Sequence, residues 1–185
     1  MQRRALLKGI SRGLAALCAA VIGLPGVGFI LSALRREPAN GDRTQRLARL
    51  KDLPLNKPVR VPVIGARRDA WTEYPNEVLG QVWLVRQQSG VTDRVSAFTA
   101  TCPHLGCLVQ HEPKLDCFLC PCHRAQFGHD GQRLTSTATG AQSHAPRGMD
   151  ALPCQLVQDD STQDVWVEVT FQKFEQGLTK QVVKT

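Results

Sequence analysis

Two short stretches of this chain carry side chains that bind metals, and their spacing is unusual. The first reads C-P-H-L-G-C at residues 102–107 and the second reads C-P-C-H at residues 120–123. Together they supply a C-x-H pair and a C-x-x-H pair separated by fifteen residues: Cys102, His104, Cys120 and His123. Two thiolates and two imidazoles are the donor set of a two-iron, two-sulfide cluster in which the cysteines hold one iron and the histidines hold the other.

Neutral imidazoles change the chemistry of such a cluster. Replacing two thiolates removes two negative charges beside the iron, so the reduction potential rises. Each imidazole also has a second nitrogen that can bind or release a proton. A site of this kind can therefore accept an electron and a proton together, as quinol oxidation requires.

A structural zinc ion is the main alternative for these four side chains, because zinc also binds cysteine and histidine. Zinc fingers usually group their cysteines in one pair and their histidines in the other, whereas each pair here is mixed. A protein that uses its cysteines only in disulfides would leave His104 and His123 unexplained. Colour separates these hypotheses, since a zinc protein is colourless.

The two motifs resemble those of the Rieske iron–sulfur family, specifically the quinol-oxidising subunits of cytochrome bc-type complexes. The resemblance implies one [2Fe-2S] cluster per chain, held by the four side chains named above. It also implies that His123 contacts quinol and accepts its proton, and that His104 is the second titratable ligand. Leu105 would help to cover the cluster, and Arg124 would lie beside it.

Each motif contains one further cysteine, and this pair favours the quinol-oxidising subunits over other Rieske proteins. In quinol-oxidising relatives the matching positions form a disulfide between the cluster loops, which implies a bond between Cys107 and Cys122. Ring-hydroxylating oxygenases and soluble Rieske ferredoxins generally lack the pair. A disulfide indicates an oxidising compartment; two buried free thiols are the alternative. Cys117 and Cys154 could form a second bridge, but sequence alone does not give their distance.

The N-terminus combines basic residues with a long apolar segment. Residues 2–8 (Q-R-R-A-L-L-K) resemble a twin-arginine export signal, with the positive flank of an ordinary membrane helix as the alternative. The twenty-two residues 13–34 carry no charge, and at about 1.5 Å each they span a hydrocarbon core of about 30 Å. No A-x-A-like cleavage site follows. We expect an uncleaved single-pass anchor in a bacterial cytoplasmic membrane, with a cytoplasmic N-terminus and a periplasmic head.

The change in composition predicts the domain organisation. Residues 1–36 form the signal-like anchor and residues 37–57 a linker, in which residues 44–53 have the apolar spacing of a short amphipathic helix. The Rieske domain follows at residues 58–176, and residues 177–185 form a tail. In bc-type relatives the linker is a hinge; a passive spacer is the alternative.

The head is predicted to be all-β. Strand-like segments rich in β-branched residues occur at residues 59–64, 81–86, 95–99 and 165–171. The resemblance implies a Rieske-like antiparallel β base with the cluster loops inserted as a subdomain at about residues 100–148. Within it, the segment S-H-A-P-R from Ser143 to Arg147 lies where quinol-oxidising relatives carry a proline-containing loop over the cluster. A plain connection is the alternative.

The chain departs from many high-potential relatives after its second motif. Those relatives carry Gly and Ser, then Tyr two residues after the Ser, and the two hydroxyls donate hydrogen bonds to cluster sulfur. This chain has Arg124, Ala125 and Phe127 at those positions. The two missing hydrogen-bond donors should lower the reduction potential by more than one solvent-screened positive charge raises it. We expect a potential in the lower half of the Rieske range of about −150 to +300 mV, which suits a low-potential quinol such as menaquinol.

By resemblance, the chain is the electron-transfer subunit of a respiratory quinol:cytochrome c reductase. It would work only with a cytochrome b-type subunit and would pass its electron to a c-type cytochrome. The alternative is the Rieske small subunit of a periplasmic molybdenum oxidase of the arsenite-oxidising type. The formal charge of +7 does not indicate nucleic-acid binding, because basic residues flank the membrane segment and no nucleic-acid motif accompanies them.

Overall fold

The chain folds into an N-terminal helical unit, Met1–Ala39, and a β-rich unit, Asn40–Thr185. The computed structural model describes residues 2–34, 43–68, 72–89, 92–134 and 143–184. Arg35 and Arg36, two of the basic residues that flank the apolar segment 13–34, lie outside these ranges.

Helix α1 spans Gln2–Leu34 and has Pro25 in its interior. Its segment Arg3–Leu31 has a mean hydropathy of 2.3, and all of its residues are exposed. Large apolar side chains such as Ile22 and Leu24 are about three-quarters exposed. A proline inside a helix removes a backbone hydrogen bond but is tolerated in membrane helices. The helix is therefore long and apolar enough to cross a membrane once.

Within its described residues, the β-rich unit has ten strands and one short 3-10 helix at Leu50–Asp52. The strands are β1 (Arg43–Arg49), β2 (Pro58–Arg68), β3 (Glu73–Ser89), β4 (Thr92–Thr99), β5 (Gln110–Glu112), β6 (Cys117–Leu119), β7 (Gln126–Phe127), β8 (Ala151–Leu152), β9 (Cys154–Gln158) and β10 (Val165–Phe171). They form sheets of order β1-β10-β9, β2-β3-β4-β8 and β5-β6-β7, with antiparallel neighbours throughout. The all-β prediction and its four strand segments are confirmed.

Strand β3 serves two hydrophobic cores. Successive side chains of a strand point to opposite faces, and four consecutive residues of β3 are buried. Val82 and Leu84 pack into the core of the β base, together with Val167 from β10. Trp83 and Val85 pack into a second core, which also contains Cys102 and Cys120 from the two motifs. The region predicted to bind the cluster is thus built directly on the base.

The amphipathic helix predicted at residues 44–53 is wrong. Strand β1 occupies most of this segment and pairs with β10, with Thr44 opposite Thr170. The apolar residues Leu47, Leu50 and Leu53 fit a helical spacing, but they also fit a strand followed by a 3-10 turn. Leu53 is buried in the base core. The head therefore already begins within residues 37–57, the segment predicted as a linker.

A C-terminal tail was predicted at residues 177–185, and its described residues 177–184 fold back onto the head. Val183 forms a β-bridge with Phe174. The Gly177 N–H donates to the Pro103 carbonyl at 2.8 Å, which connects this segment to the first metal-binding motif.

A glycine in β3 makes room for an aromatic ring, and this predicts the effect of a substitution. A Cβ at Gly80 would overlap the ring of Phe171. Gly80→Ala should therefore reduce the free energy of unfolding by about 1–3 kcal/mol, the usual cost of overpacking. Urea unfolding of the full-length protein in detergent, followed by tryptophan fluorescence, measures this change.

Phe171→Leu provides the control, because a smaller side chain relieves the overlap. Gly80→Ala should cost less in the Phe171→Leu background than in the wild type, as a double-mutant cycle would show. An equal cost in both backgrounds would mean that the contact with Phe171 is not the cause.

Candidate metal centre

The first motif folds into a tight loop directly after β4. The Cys102 N–H donates to the Cys107 carbonyl at 2.7 Å, and the Gly106 N–H donates to the Cys102 carbonyl at 3.0 Å. Gly106 has φ of +80°, a left-handed conformation that glycine adopts without steric cost. The loop leaves Leu105 66% exposed at its tip.

The second motif folds into a similar loop between β6 and β7. The Cys120 N–H donates to the Ala125 carbonyl at 2.8 Å and closes the turn. Arg124 has φ of +58°, which is uncommon for a residue other than glycine. This left-handed position gives a physical reason for the glycine expected here in many high-potential relatives. The side chains of His123 and Arg124 are exposed.

A disulfide joins the two loops. Cys107 and Cys122 form the bond that the resemblance implied. The sulfur atoms of this bridge lie within 4.8 Å of the Cys120 sulfur. A covalent link at this point restricts the separation of the loops and holds Cys120 against the first motif.

The four predicted ligands form two pairs across these loops, Cys102 with Cys120 and His104 with His123. Cys102 and Cys120 are free thiols, and each residue is 1% exposed. The ring centroids of His104 and His123 lie 4.7 Å apart. Nδ1 of His104 is buried and has no hydrogen-bond partner within the described part of the chain. An unpaired buried nitrogen is costly, and a metal would satisfy it.

The two thiols must lose their protons to act as ligands, and a bound metal cation favours that loss. Burial raises the pKa of Cys102 to about 12; the neighbouring Cys120 thiol adds to the increase, whereas backbone N–H groups of His104 and Leu105 oppose it. A thiol with such a pKa stays protonated at neutral pH, but metal coordination deprotonates it. Two buried thiols and two adjacent imidazoles therefore fit the donor set of a [2Fe-2S] cluster with one pair on each iron.

The comparison with known proteins agrees with this geometry. The Rieske [2Fe-2S] domain family matches residues 43–153 of the chain. The chain belongs to this family. As a Rieske protein, it binds a [2Fe-2S] cluster.

Its similar proteins include iron–sulfur subunits of menaquinol:cytochrome c reductases. The menaquinol:cytochrome c reductase iron–sulfur subunit of Geobacillus thermodenitrificans is 28% identical over 138 residues, which cover 73% of this chain and 78% of that protein. The same subunit of Bacillus subtilis (strain 168) is 28% identical over 140 residues, covering 74% and 79%. Among solved structures, the plasma membrane Rieske protein PetC3 of Synechocystis PCC 6803 is 28% identical, with a TM-score of 0.35 over 48% of this chain and 76% of that chain.

The Rieske protein places a third histidine beside the cluster loops. The His144 ring stacks near His104 with 6.5 Å between centroids and 26° between planes. Its neighbour Ala145 is 1% exposed, and the Ala145 carbonyl accepts a hydrogen bond from Arg133 at 2.8 Å. The proline-containing segment therefore reaches His104. His144 was not among the predicted site residues, and its position in the proline-containing segment was the available signal.

A buried ion pair also supports the site and was not predicted. Arg147 donates two hydrogen bonds to the Asp150 carboxylate, at 2.7 and 2.8 Å. Their side chains are only 8% and 4% exposed. The same guanidinium donates to the carbonyls of Glu175 and Leu178 at 2.7 and 2.6 Å. Arg147 thus joins the proline-containing segment to the C-terminal segment that contacts Pro103.

The two positions at which many high-potential relatives carry hydroxyl groups lie in the interior. Ala125 and Phe127 are both 0% exposed and belong to the core beneath the loops. Arg124, in contrast, is exposed. Any influence of residues 125 and 127 on the cluster is therefore exerted from within the protein.

The second bridge considered for Cys117 and Cys154 is absent, because both are free thiols. Cys117 is buried in β6, whereas Cys154 donates a hydrogen bond from its sulfur to the Val95 carbonyl at 3.1 Å. Burial raises the pKa of both thiols. The hypothesis of a second disulfide is therefore wrong.

Removing the disulfide between the loops should destabilise the cluster region. The double substitution Cys107→Ala and Cys122→Ala releases a loop with a sequence separation of 15. We expect a loss of about 3 kcal/mol in the free energy of unfolding, together with faster loss of the cluster. Thermal unfolding and the decay of the cluster EPR signal measure the two effects.

Cys18→Ala is the matched control, since this free cysteine is exposed in α1. It should leave both the stability of the head and the cluster signal unchanged. A double variant that kept its cluster as long as the wild type would show that the disulfide does not hold the loops.

Proposed function

We propose that this chain is the electron-transfer subunit of a menaquinol:cytochrome c reductase, a complex of the cytochrome bc type. The observation that carries the proposal is the disulfide between the two cluster loops, Cys107–Cys122, beside two buried thiols and two adjacent imidazoles. The names of the relatives from Geobacillus and Bacillus support it, and they favour this function over a molybdenum oxidase subunit.

The four predicted ligands have distinct roles in this proposal. Cys102 and Cys120 would hold one iron, and His104 and His123 would hold the other. When bound, the cluster supplies a one-electron acceptor. His123 is exposed, so its outer ring nitrogen can accept a hydrogen bond and then the proton from a quinol hydroxyl. His104 is the second imidazole that can exchange a proton.

The surface around the histidines is suited to contact with partner subunits. Leu105 is 66% exposed directly after His104, and an exposed leucine at a loop tip provides an apolar contact. It would cover the cluster and pack against quinol and a cytochrome b-type subunit. The head would then pass the electron to a c-type cytochrome.

The proposed location is a bacterial cytoplasmic membrane. Helix α1 would be the uncleaved anchor, with its N-terminus in the cytoplasm and the head on the periplasmic side. The apolar length of α1 supports the anchor, and the disulfide supports an oxidising compartment for the head. Export through the twin-arginine route would allow the cluster to be inserted before the head crosses the membrane.

The choice of menaquinol as donor depends on how neighbouring residues shift the reduction potential of the cluster. Ala125 and Phe127 provide no hydroxyl donors, and donors stabilise the more negative, reduced cluster. The positive charge of Arg124 acts in the opposite direction, but it is exposed and screened by solvent and salt. The resulting low potential matches a low-potential quinol.

An EPR-monitored redox titration of the full-length, cluster-loaded protein tests the proposal. We expect a rhombic two-iron signal with a midpoint in the lower half of about −150 to +300 mV. At alkaline pH the midpoint should fall by about 59 mV per pH unit, the slope for one proton per electron. The fall results from proton release by the ligand imidazoles on oxidation.

Each other outcome of the titration would contradict a different part of the proposal. A high midpoint would contradict the tuning argument and the choice of menaquinol. A midpoint that does not change across the alkaline range would exclude proton uptake by His123 and His104. A folded, iron-replete sample without the signal would rule out the cluster.

Restoring the missing hydroxyl groups should raise the potential. We expect Ala125→Ser and Phe127→Tyr each to add one hydrogen bond to cluster sulfur or to a ligand cysteine. A hydrogen bond to a charged group is worth about 1.5–3 kcal/mol, which corresponds to a rise of about 65–130 mV per substitution. The same redox titration measures the shift.

Ala125→Gly and Phe127→Leu are the controls, because they change size without adding a donor. Their midpoints should stay close to that of the wild type. A similar rise in the controls and in the hydroxyl variants would attribute the effect to packing and not to hydrogen bonds.

A further inference from the structure

A second group of metal-binding side chains lies in the β5-β6-β7 sheet, apart from the cluster ligands. It consists of His111 in β5, Asp116 in the turn before β6, and His129 shortly after β7. Their donor atoms all lie within 4.8 Å of one another. Oδ1 of Asp116 is 3.5 Å from Nε2 of His129 and 4.0 Å from Nε2 of His111.

The fold holds the two imidazoles against one rigid ring. His111 is directly opposite Phe118 in the sheet register, and Phe118 is 0% exposed. The rings of His111 and His129 contact Phe118 in edge-on geometry, with centroid distances of 6.1 and 5.8 Å. Their own centroids are 5.4 Å apart. Asp116 has φ of +47°, a left-handed turn conformation in which aspartate is enriched.

Both imidazoles have an unsatisfied buried atom at this point. Nε2 of His111 and Nε2 of His129 are buried, and neither has a hydrogen-bond partner among the residues that the structure describes. Their distances to Asp116 exceed the 2.7–3.2 Å typical of a hydrogen bond. Buried polar atoms without partners are rare and costly. The three donor atoms therefore converge without satisfying one another.

The electrostatic environment favours a neutral His111. Burial lowers the pKa of His111, and a positive charge on the adjacent His129 lowers it further, whereas Asp116 and Glu112 oppose the change. Neutral imidazole is the form that binds metals. The carboxylate of Asp116, whose side chain is 82% exposed, provides both a negative charge and a path from solvent.

We propose that His111, Asp116 and His129 bind a zinc ion through Nε2, Oδ1 and Nε2, with water as the fourth ligand. In a tetrahedral zinc site with bonds of about 2.0–2.1 Å, donor atoms are about 3.3 Å apart. The observed separations of 3.5 and 4.0 Å need only a small closure. Imidazole and carboxylate suit zinc. With three protein ligands and an exposed carboxylate, the ion is exchangeable.

Equilibrium dialysis against zinc tests the proposal on the full-length, cluster-loaded protein without a polyhistidine tag. The cluster must be present, because the empty ligand set of the cluster would itself bind zinc. Elemental analysis should find about one zinc ion per chain, while the cluster EPR signal keeps its intensity. X-ray absorption at the zinc edge should show histidine ligation.

Asp116→Asn and His129→Gln should each weaken zinc binding by more than about tenfold, since loss of an outer-shell partner alone costs about 10- to 100-fold. Asp116→Asn is the decisive variant, because asparagine also tolerates the left-handed backbone and the side chain is exposed. Asp160→Asn, an exposed acidic residue in the β9–β10 connection, is the matched control and should bind zinc like the wild type.

The zinc proposal is overturned if the cluster-loaded wild type retains no zinc, or if Asp116→Asn binds zinc as tightly as the wild type. Thermal unfolding and the cluster EPR signal establish that each variant is folded. Should His129→Gln fail to fold, Asp116→Asn decides the question alone. The proposed electron-transfer function does not depend on this result.

Discussion

The burial of β3 on both faces is the constraint on which the rest of the head depends. Val82 and Leu84 belong to the base core, whereas Trp83 and Val85 belong to the core under the cluster loops. Trp83 also donates from its indole nitrogen to the Val109 carbonyl at 3.1 Å. One strand therefore connects the base to the chain that leaves the first motif. A change in its packing would be transmitted to both cores, because interiors are close-packed.

The cluster loops combine rigid anchoring with local strain. The disulfide and the bonds across each loop restrict the positions of the thiols and imidazoles, and the core below supports them. Arg124 adopts φ of +58° in the second loop, where a side chain costs roughly 1–2 kcal/mol relative to a right-handed backbone. The surrounding contacts must offset this cost. Strain of this kind is common where a backbone is shaped around a functional group.

The parts that the sequence predicts and the parts that it misses differ in the range of their interactions. The β segments and the cluster motifs are local signals, readable from alternation and from residue spacing. Strand β1 was missed because its partner lies far along the chain, as the 2.8 Å contact between the Thr44 and Thr170 hydroxyls illustrates. The ion pair of Arg147 and Asp150 is local in sequence. Its structural role, however, depends on its burial and on the hydrogen bonds from Arg147 to carbonyls near the C-terminus. Neither property is visible in a residue pattern.

Burial also determines which of the residues after the second motif should most affect the reduction potential of the cluster. Residues 125 and 127 are fully enclosed, so bulk water cannot take the place of a missing hydroxyl donor there. A hydrogen bond to the cluster would lie there in a low local dielectric, where electrostatic interactions are strong, so its loss should have a large effect. Arg124 acts through solvent, in which its charge is screened within about a Debye length. The interior residues, although uncharged, should therefore govern the potential, and the charged surface residue should only adjust it.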